Sequence, residues 1–481
     1  MSQENELSRR DVLKTAGAAA AVTAFPAIRN AMAANEPVKY GIIGSGSRGT
    51  YLMKHLKNIP GGRCVAICDI KQEAIDHGVT TIGTQPKTYK DYRALLDQKD
   101  IEAVFVITPL FTHFPLTSDV LQSGRHVFCE KCLVFKPAEV HALRALSGER
   151  PQQVLQTGLQ RRYSYFYQVV KSMVDKGILG DVRYMHAQWH RNMINKPSSL
   201  WTMKPGGESS IANWRVFRSM SGGLPAELTS HQVDVADWMF GSGPEFVTGF
   251  GSLDVLKDGR DVYDNVQLMY RYPKGKQLTY SSISTNQFNP LFNGMRPEMG
   301  EIIMGTEGTI EITVGDDLHS CIAWWYREPP KTTTVEKADQ KKQETFVAGA
   351  TMVAGGGANG PIPIMTTDLD FQAGASFLAR EAKFARRWLT AKGVLVQEEA
   401  RNPVDTELES FFQSCRTGQR PKADLETGLA DSVAVILSNL AMDENRRVNF
   451  SEIDTMGLPA DAPRIPKITS SAKQPPPHVG G

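Results

Sequence analysis

The 481 residues carry 54 Lys and Arg against 52 Asp and Glu, a net charge of +2, with 41% hydrophobic and 22% charged residues. That is the composition of a soluble globular chain with material for two domains, and it offers no basic surface for nucleic acid or an anionic membrane. Six cysteines, at 64, 68, 129, 132, 321 and 415, are too few and too scattered for a disulfide scaffold.

The chain opens with Ser8-Arg9-Arg10-Asp11-Val12-Leu13-Lys14, an apolar run over 16–27, and a small-residue site at Ala31-Met32-Ala33. This reads as a twin-arginine export signal over 1–33, its apolar run too short to span a bilayer. A disordered N-terminus with a chance arginine pair is the alternative. No cysteine follows the site, so no stable membrane anchor is expected. The mature chain would begin near Ala34, with 50 basic against 49 acidic residues.

Residues 38–51 (VKYGIIGSGSRGTY) spell strand, glycine turn, helix. Gly44 permits the tight turn, Gly46 lets the backbone approach a pyrophosphate, and Gly49 lets helix and strand pack closely. Ser45, Ser47 and Arg48 fill the turn, and the helix N-terminus offers unpaired N–H groups to phosphate. A second apolar run, 64–68, ends in Asp69, where a carboxylate would bind both ribose hydroxyls and repel a 2′-phosphate. The expected cofactor is NAD, with NADP or an empty nucleotide fold as the alternatives.

Strand and helix alternate to about residue 158, as a doubly wound parallel sheet requires. The near-continuous apolar run 101–108 (IEAVFVIT) should be central. Asp69, Thr108-Pro109 with His113 beyond, Glu130-Lys131 and Gln160–Tyr163 all fall just past strand ends, where ligands bind such sheets. Cys129 and Cys132 have CxxC spacing, but without a second ligand pair they read as two buried thiols flanking Glu130-Lys131. A disulfide between them remains open.

Beyond a helix over 165–176 the texture changes. Residues 181–191, 245–252, 265–272, 277–286, 301–305 and 309–314 read as strands joined by short turns, hence a mostly antiparallel sheet. Between 315 and 400 the pattern weakens through a charged stretch (335–345) and a glycine-rich surface loop (354–361). Helices are expected over 369–390, 406–417 and 425–444. The expected division is a signal over 1–33, an NAD-binding domain over 34–160, an α+β domain over 161–460, and a tail over 461–481.

One further stretch carries chemistry. In 222–234 (GGLPAELTSHQVD), Gly and Pro precede a helix on which Glu227, His231 and Asp234 would share a face at 3.6 residues per turn. Such a carboxylate could orient a basic imidazole. A surface helix or a buried structural histidine is the plainer alternative, and a metal site lacks a matching ligand pair. Lys131, beside a nicotinamide, could hold or protonate a developing alkoxide, though lysines after strands are commonly just solvated.

Together, GSGSRG, Asp69, TPxxxH, Glu130-Lys131, QRRY, Asn213-Trp214-Arg215 and GG…Glu227xxxHis231xxAsp234 resemble the glucose–fructose oxidoreductase / inositol dehydrogenase (Gfo/Idh/MocA) family over 38–315 and again over 402–448. The resemblance implies an α/β Rossmann domain plus an α+β domain with a large open sheet, often used to form homo-oligomers (here a dimer or tetramer). It implies hydride transfer at a sugar or cyclitol carbon. By matching, Lys131 and His231 are catalytic, with Glu227 where the family usually has Asp and Cys132 where it has Pro. Thr108, Pro109, His113, Glu130, Gln160, Trp214 and Arg215 become cofactor contacts, and Arg162, Tyr163 and Asp234 substrate contacts; no metal is implied. An exported enzyme meets no free NAD pool, so the cofactor should be tightly bound. A second carbonyl substrate in the periplasm would then reoxidise it. The rivals are a redox-neutral NAD-dependent glycosidase, whose known examples lack the Glu-Lys pair, and a non-catalytic sugar-binding protein on the same fold.

Overall fold

The computed structural model describes residues 36–287, 299–313, 322–328, 344–347, 350–353, 362–366, 377–396 and 401–458. The export signal, the tail and the glycine-rich loop expected from sequence lie outside these residues.

Six parallel strands form the first sheet: β1 (Val38–Ile43), β2 (Gly62–Cys68), β3 (Lys87–Tyr89), β4 (Ala103–Val106), β5 (His126–Cys129) and β6 (Leu155–Thr157), in the order 3-2-1-4-5-6. This is the doubly wound order, whose strand order reverses between β1 and β4 and opens a crevice there. Helices α1 (Ser47–Leu56), α2 (Gln72–Ile82), α3 (Tyr92–Leu96), α4 (His113–Gln122) and α5 (Pro137–Gly148) make the crossovers. Ala103, Val104, Phe105 and Val106 are all fully buried, as an apolar central strand covered on both faces must be.

Past α6 (Tyr165–Asp175), the second sheet runs through β7 (Val182–Trp189), α7 (Ser230–Phe240), β8 (Phe246–Ser252), β9 (Asn265–Arg271), β10 (Gln277–Ile283), β11 (Met299–Gly305) and β12 (Gly308–Thr313). Every strand read from sequence in this region is present. The weakly patterned stretch adds β13 (Ile322–Arg327), a separate β14–β15 hairpin (Glu344–Val347, Ala350–Val353) and β16 (Ile362–Thr366). Helices α8 (Phe377–Ala391), α9 (Pro403–Thr417) and α10 (Leu425–Asp443) precede the short β17 (Val448–Asn449). The nine-stranded order is 16-13-12-11-7-10-9-8-17, antiparallel throughout except between β7 and β10. Alternation sets the faces: Val266, Leu268 and Tyr270 of β9 point inward, while Met269 between them is exposed.

The chain returns to its first sheet at the end. Phe411 and Phe412 of α9 pack on Phe105, Phe128 and Tyr40, with ring centroids 5.2, 5.7 and 5.4 Å apart for Phe411–Phe105, Phe411–Phe128 and Phe412–Tyr40. Each aromatic pair adds about 0.5–1.5 kcal/mol beyond area burial. α10, apolar on most of its surface, lies against β8, α7 and α5, so both sheets share one extended core.

Candidate active site

The glycine loop has the three properties a pyrophosphate cradle needs. Gly44 has φ +99°, and a Cβ there would sit 2.3 Å from the Ile107 carbonyl oxygen. A Cβ at Gly49 would lie 2.2 Å from the Gly44 oxygen, whereas one at Gly46 would meet no atom within 4 Å. Thus Gly44 and Gly49 are glycine for the fold, and Gly46 borders open space. No side chain caps the N-terminus of α1, which leaves its first N–H groups for an anion. Asp69 reaches back to the loop: Oδ2 accepts from the Ser45 N–H at 2.8 Å and Oδ1 from the Lys71 N–H at 3.0 Å. These residues fit a dinucleotide. Gln160 adds a buried amide oxygen without a partner near the same crevice edge.

Lys131 follows β5. Its Nζ donates to the carbonyl oxygens of Ala226 at 2.7 Å and Glu227 at 2.8 Å, tying the strand end to the second domain. The Lys131–Cys132 peptide bond is cis. Cys129 and Cys132 are free and buried, so the disulfide left open by the sequence is absent.

The stretch expected as one helix begins instead with a turn of π-helix over Pro225–Thr229 and becomes α-helical at Ser230. The wider i→i+5 turn breaks the 3.6-residue spacing on which the Glu227–His231 pairing was read. No hydrogen bond joins the two side chains; the Glu227 carboxylate accepts from Arg215 Nε at 3.2 Å. Burial pushes the Glu227 carboxyl up, but Lys131, Arg215 and Arg191 outweigh it and hold it below its usual range. His231 is 7% exposed and its ring nitrogens bond to no described residue. Burial, then Lys131, Arg161 and Arg48, hold its pKa well below the usual value, so the imidazole is neutral. Trp189 packs beside it, ring centroids 5.8 Å apart.

Several of the expected contact residues pair with one another. Arg48 Nε bonds Glu130 Oε1 at 2.6 Å, and Arg162 Nε bonds Asp234 Oδ1 at 2.7 Å. Trp214 supports Arg215, whose guanidinium lies 4.2 Å from its ring centroid. Tyr163 is fully buried against Leu159 and Ala423, and its hydroxyl accepts the Ala423 N–H at 3.2 Å. His113 is also turned inward, with both ring nitrogens on backbone carbonyls. Thr108 and Pro109 stay at the crevice edge, Thr108 Oγ1 accepting from Thr112 at 2.7 Å.

Sequence reading missed the buried Arg161–Glu301 pair, which Tyr167 completes with a 2.8 Å hydrogen bond to Glu301. It also missed two buried acids: Glu407 on α9, neither of whose oxygens has a hydrogen-bond partner among the described residues, and Asp431 on α10, with only the Cys132 thiol beside it. A lone acid inside an apolar run, as in LADSVAVIL, was the available signal.

The fold and crevice are those of a dinucleotide-binding protein, and its relatives make it an oxidoreductase of the class acting on CH–OH groups. Two family models match: the NAD-binding Rossmann fold of the GFO_IDH_MocA oxidoreductase family over 38–158 and its C-terminal alpha/beta domain over 171–450. The chain belongs to this family. A twin-arginine translocation signal model matches 6–26. An inositol 2-dehydrogenase from Rubrobacter xylanophilus is 27% identical over 58% of this chain and 72% of its own length. One from Salmonella typhimurium is 29% identical over 33% of this chain, and the match spans about half (48%) of that relative. A glycosyl hydrolase family 109 protein from Shewanella pealeana is 27% identical over 44% of this chain and 51% of its own. Among solved structures, an aldose-aldose oxidoreductase from Caulobacter crescentus superposes with a TM-score of 0.62 at 18% identity, over 86% of this chain and 100% of that one. That likeness is one of fold.

Proposed function

We propose that this protein is an exported oxidoreductase that converts a ring hydroxyl of a sugar, glycoside or cyclitol to a ketone, with NAD held as a resident cofactor. The observation that carries the reading is the pairing, at one crevice, of an anchored ammonium on Lys131 with a neutral, unengaged imidazole on His231. Bound nicotinamide would supply the hydride acceptor. Gly46, the N-terminus of α1 and Asp69 would hold the dinucleotide, the Asp69 carboxylate favouring NAD over NADP by repelling a 2′-phosphate. His231 takes the hydroxyl proton as general base. Lys131, fixed by two carbonyls, stabilises negative charge developing on the oxygen, and Glu227 balances the lysine and Arg215. Export as a folded protein to the periplasm, where no nucleotide pool exists, favours retention and turnover with a second carbonyl substrate.

Denaturing the purified protein and identifying the released nucleotide tests retention and NAD against NADP. Incubation with myo-inositol, aldoses and glycosides, followed by mass spectrometry, should reveal a keto product that Lys131→Met and His231→Asn variants do not form. No keto product from any of these compounds would sink the oxidoreductase reading. The family 109 relative supports a second reading, hydrolysis through transient oxidation. Release of nitrophenol from aryl glycosides without consumption of an acceptor would establish it instead.

A further inference from the structure

His113 opens α4 and is 2% exposed. Its Nδ1 lies 2.7 Å from the carbonyl oxygen of Cys132, and its Nε2 lies 2.8 Å from that of Thr108. A carbonyl oxygen only accepts hydrogen bonds, so each ring nitrogen must carry a hydrogen. A neutral imidazole has one such hydrogen and would aim a lone pair at the other carbonyl. The two contacts together therefore require the imidazolium.

The surroundings agree. Burial raises the Glu139 carboxyl of α5, with backbone N–H groups, Lys136 and His113 opposing it, and Cys129 of β5 has its sulfur beside the ring. Burial pulls the imidazole pKa down, but Cys129 and the two carbonyls outweigh it and hold it at about 9. A buried cation is tolerated where every donor is used and an acid lies near.

We propose that His113 is a positioning residue that stays protonated at neutral pH, a buried imidazolium clamp fixing the Lys131–Cys132 segment against the Thr108 turn. The two carbonyls follow β4 and β5, adjacent strand ends on one side of the crevice. Fixing them sets where Lys131 begins its reach to the Ala226 and Glu227 carbonyls. Loss of the second ring proton leaves a lone pair facing a carbonyl and lets the segments part. The importance of placing Lys131 rests on the function proposed above; the charge on His113 does not.

The test uses the purified exported protein labelled with 15N-histidine. At about pH 7 His113 should show hydrogens on both ring nitrogens, and this signal should vanish in His113→Gln. A neutral single tautomer at that pH overturns the clamp. If His113→Gln does not fold, the parent still decides: no slowly exchanging, doubly protonated imidazole at about pH 7 is the overturning result. The positioning role is read from NADH affinity by fluorescence titration. In the parent it should weaken about tenfold or more between about pH 8 and pH 10 as a charged hydrogen bond is lost. His113→Gln should be weaker at the lower pH and show no such step. A parent with constant affinity across that window overturns the positioning role. Failure to bind NADH at any pH would sink the functional reading alone, because the ring-proton measurement still supports or overturns the clamp.

Discussion

Two alanine substitutions in the glycine loop separate folding from nucleotide binding. At Gly49 the added Cβ would come within 2.2 Å of the Gly44 oxygen, closer than any side chain tolerates, so α1 must move away from β1. Forced overpacking of this kind costs about 1–3 kcal/mol. At Gly46 the backbone sits at φ −68° and ψ −161°, open to any residue, and the Cβ meets nothing within 4 Å. Gly→Ala at a compatible position stabilises by about 0.4–1 kcal/mol through the unfolded chain. The methyl would, however, occupy the space through which the backbone approaches the pyrophosphate. Losing one charge-assisted hydrogen bond there weakens binding by about 10- to 100-fold. Urea unfolding of nucleotide-free protein should therefore rank G46A at or above the parent and G49A below it. NADH titration should show G46A impaired. A G46A variant that binds NADH like the parent would refute the assignment of this loop as the cradle.

Replacing Asp69 with Ala should weaken NADH and narrow its advantage over NADPH by about tenfold or more, measured by competitive titration; an unchanged ratio would remove Asp69 from cofactor choice. Because His231 is held neutral, the rate of sugar oxidation should show no histidine step near its ordinary pKa of about 6.5, and His231→Asn should lower the rate by about 10²–10⁴-fold. Glu301→Gln removes the charge that pairs with the Arg161 guanidinium in the core and should cost about 3–5 kcal/mol in urea unfolding; an unmoved midpoint would contradict the buried pair. Asp431 is raised from 3.8 to about 7 by burial and then Asp234, against Lys131, Cys132 and Arg162. The folded state then holds a proton that the unfolded state has lost, so stability falls as pH rises between these values, by about 4 kcal/mol in all. Asp431→Asn should flatten that slope in unfolding experiments across the same range, and an unaltered slope would place the titration elsewhere.

What the sequence made legible was whatever local pattern determines. Strand alternation located β7 to β12 to within a few residues, because one face of each strand must be apolar for the sheet to bury it. The same rule failed after residue 315, where β13 to β16 are four to six residues long and lie between polar stretches. The glycine loop, Asp69 and the strand-end residues were legible because the parallel-sheet topology alone brings them to one edge. Partnership was not legible. That Arg162 meets Asp234, 72 residues away, or that Tyr163 packs on Ala423, depends on tertiary contacts that no spacing encodes. The face shared by Glu227 and His231 failed for a local reason: a π-turn looks like α-helix in sequence, yet changes the register of everything before it.

The ion pairs give the site residues a common pattern. Arg48 is spent on Glu130, Arg161 on Glu301, Arg162 on Asp234 and Arg215 on Glu227. A guanidinium offers five donors in a rigid fork, so one carboxylate fixes its plane. Such groups are oriented before a substrate arrives, which lowers the cost of binding in the productive geometry. Lys131 differs in kind. Its ammonium makes no salt bridge among the described residues and is held by two uncharged carbonyls, so in the proposed function it would face an oxygen that becomes negative. The neutral His231 close by completes the asymmetry: in the proposed function a fixed cation would favour the alkoxide, and an unengaged base would take its proton. A crevice built only to bind a sugar would have no need to set a cation held by neutral carbonyls beside an unengaged base. The arrangement therefore weighs towards chemistry over binding alone.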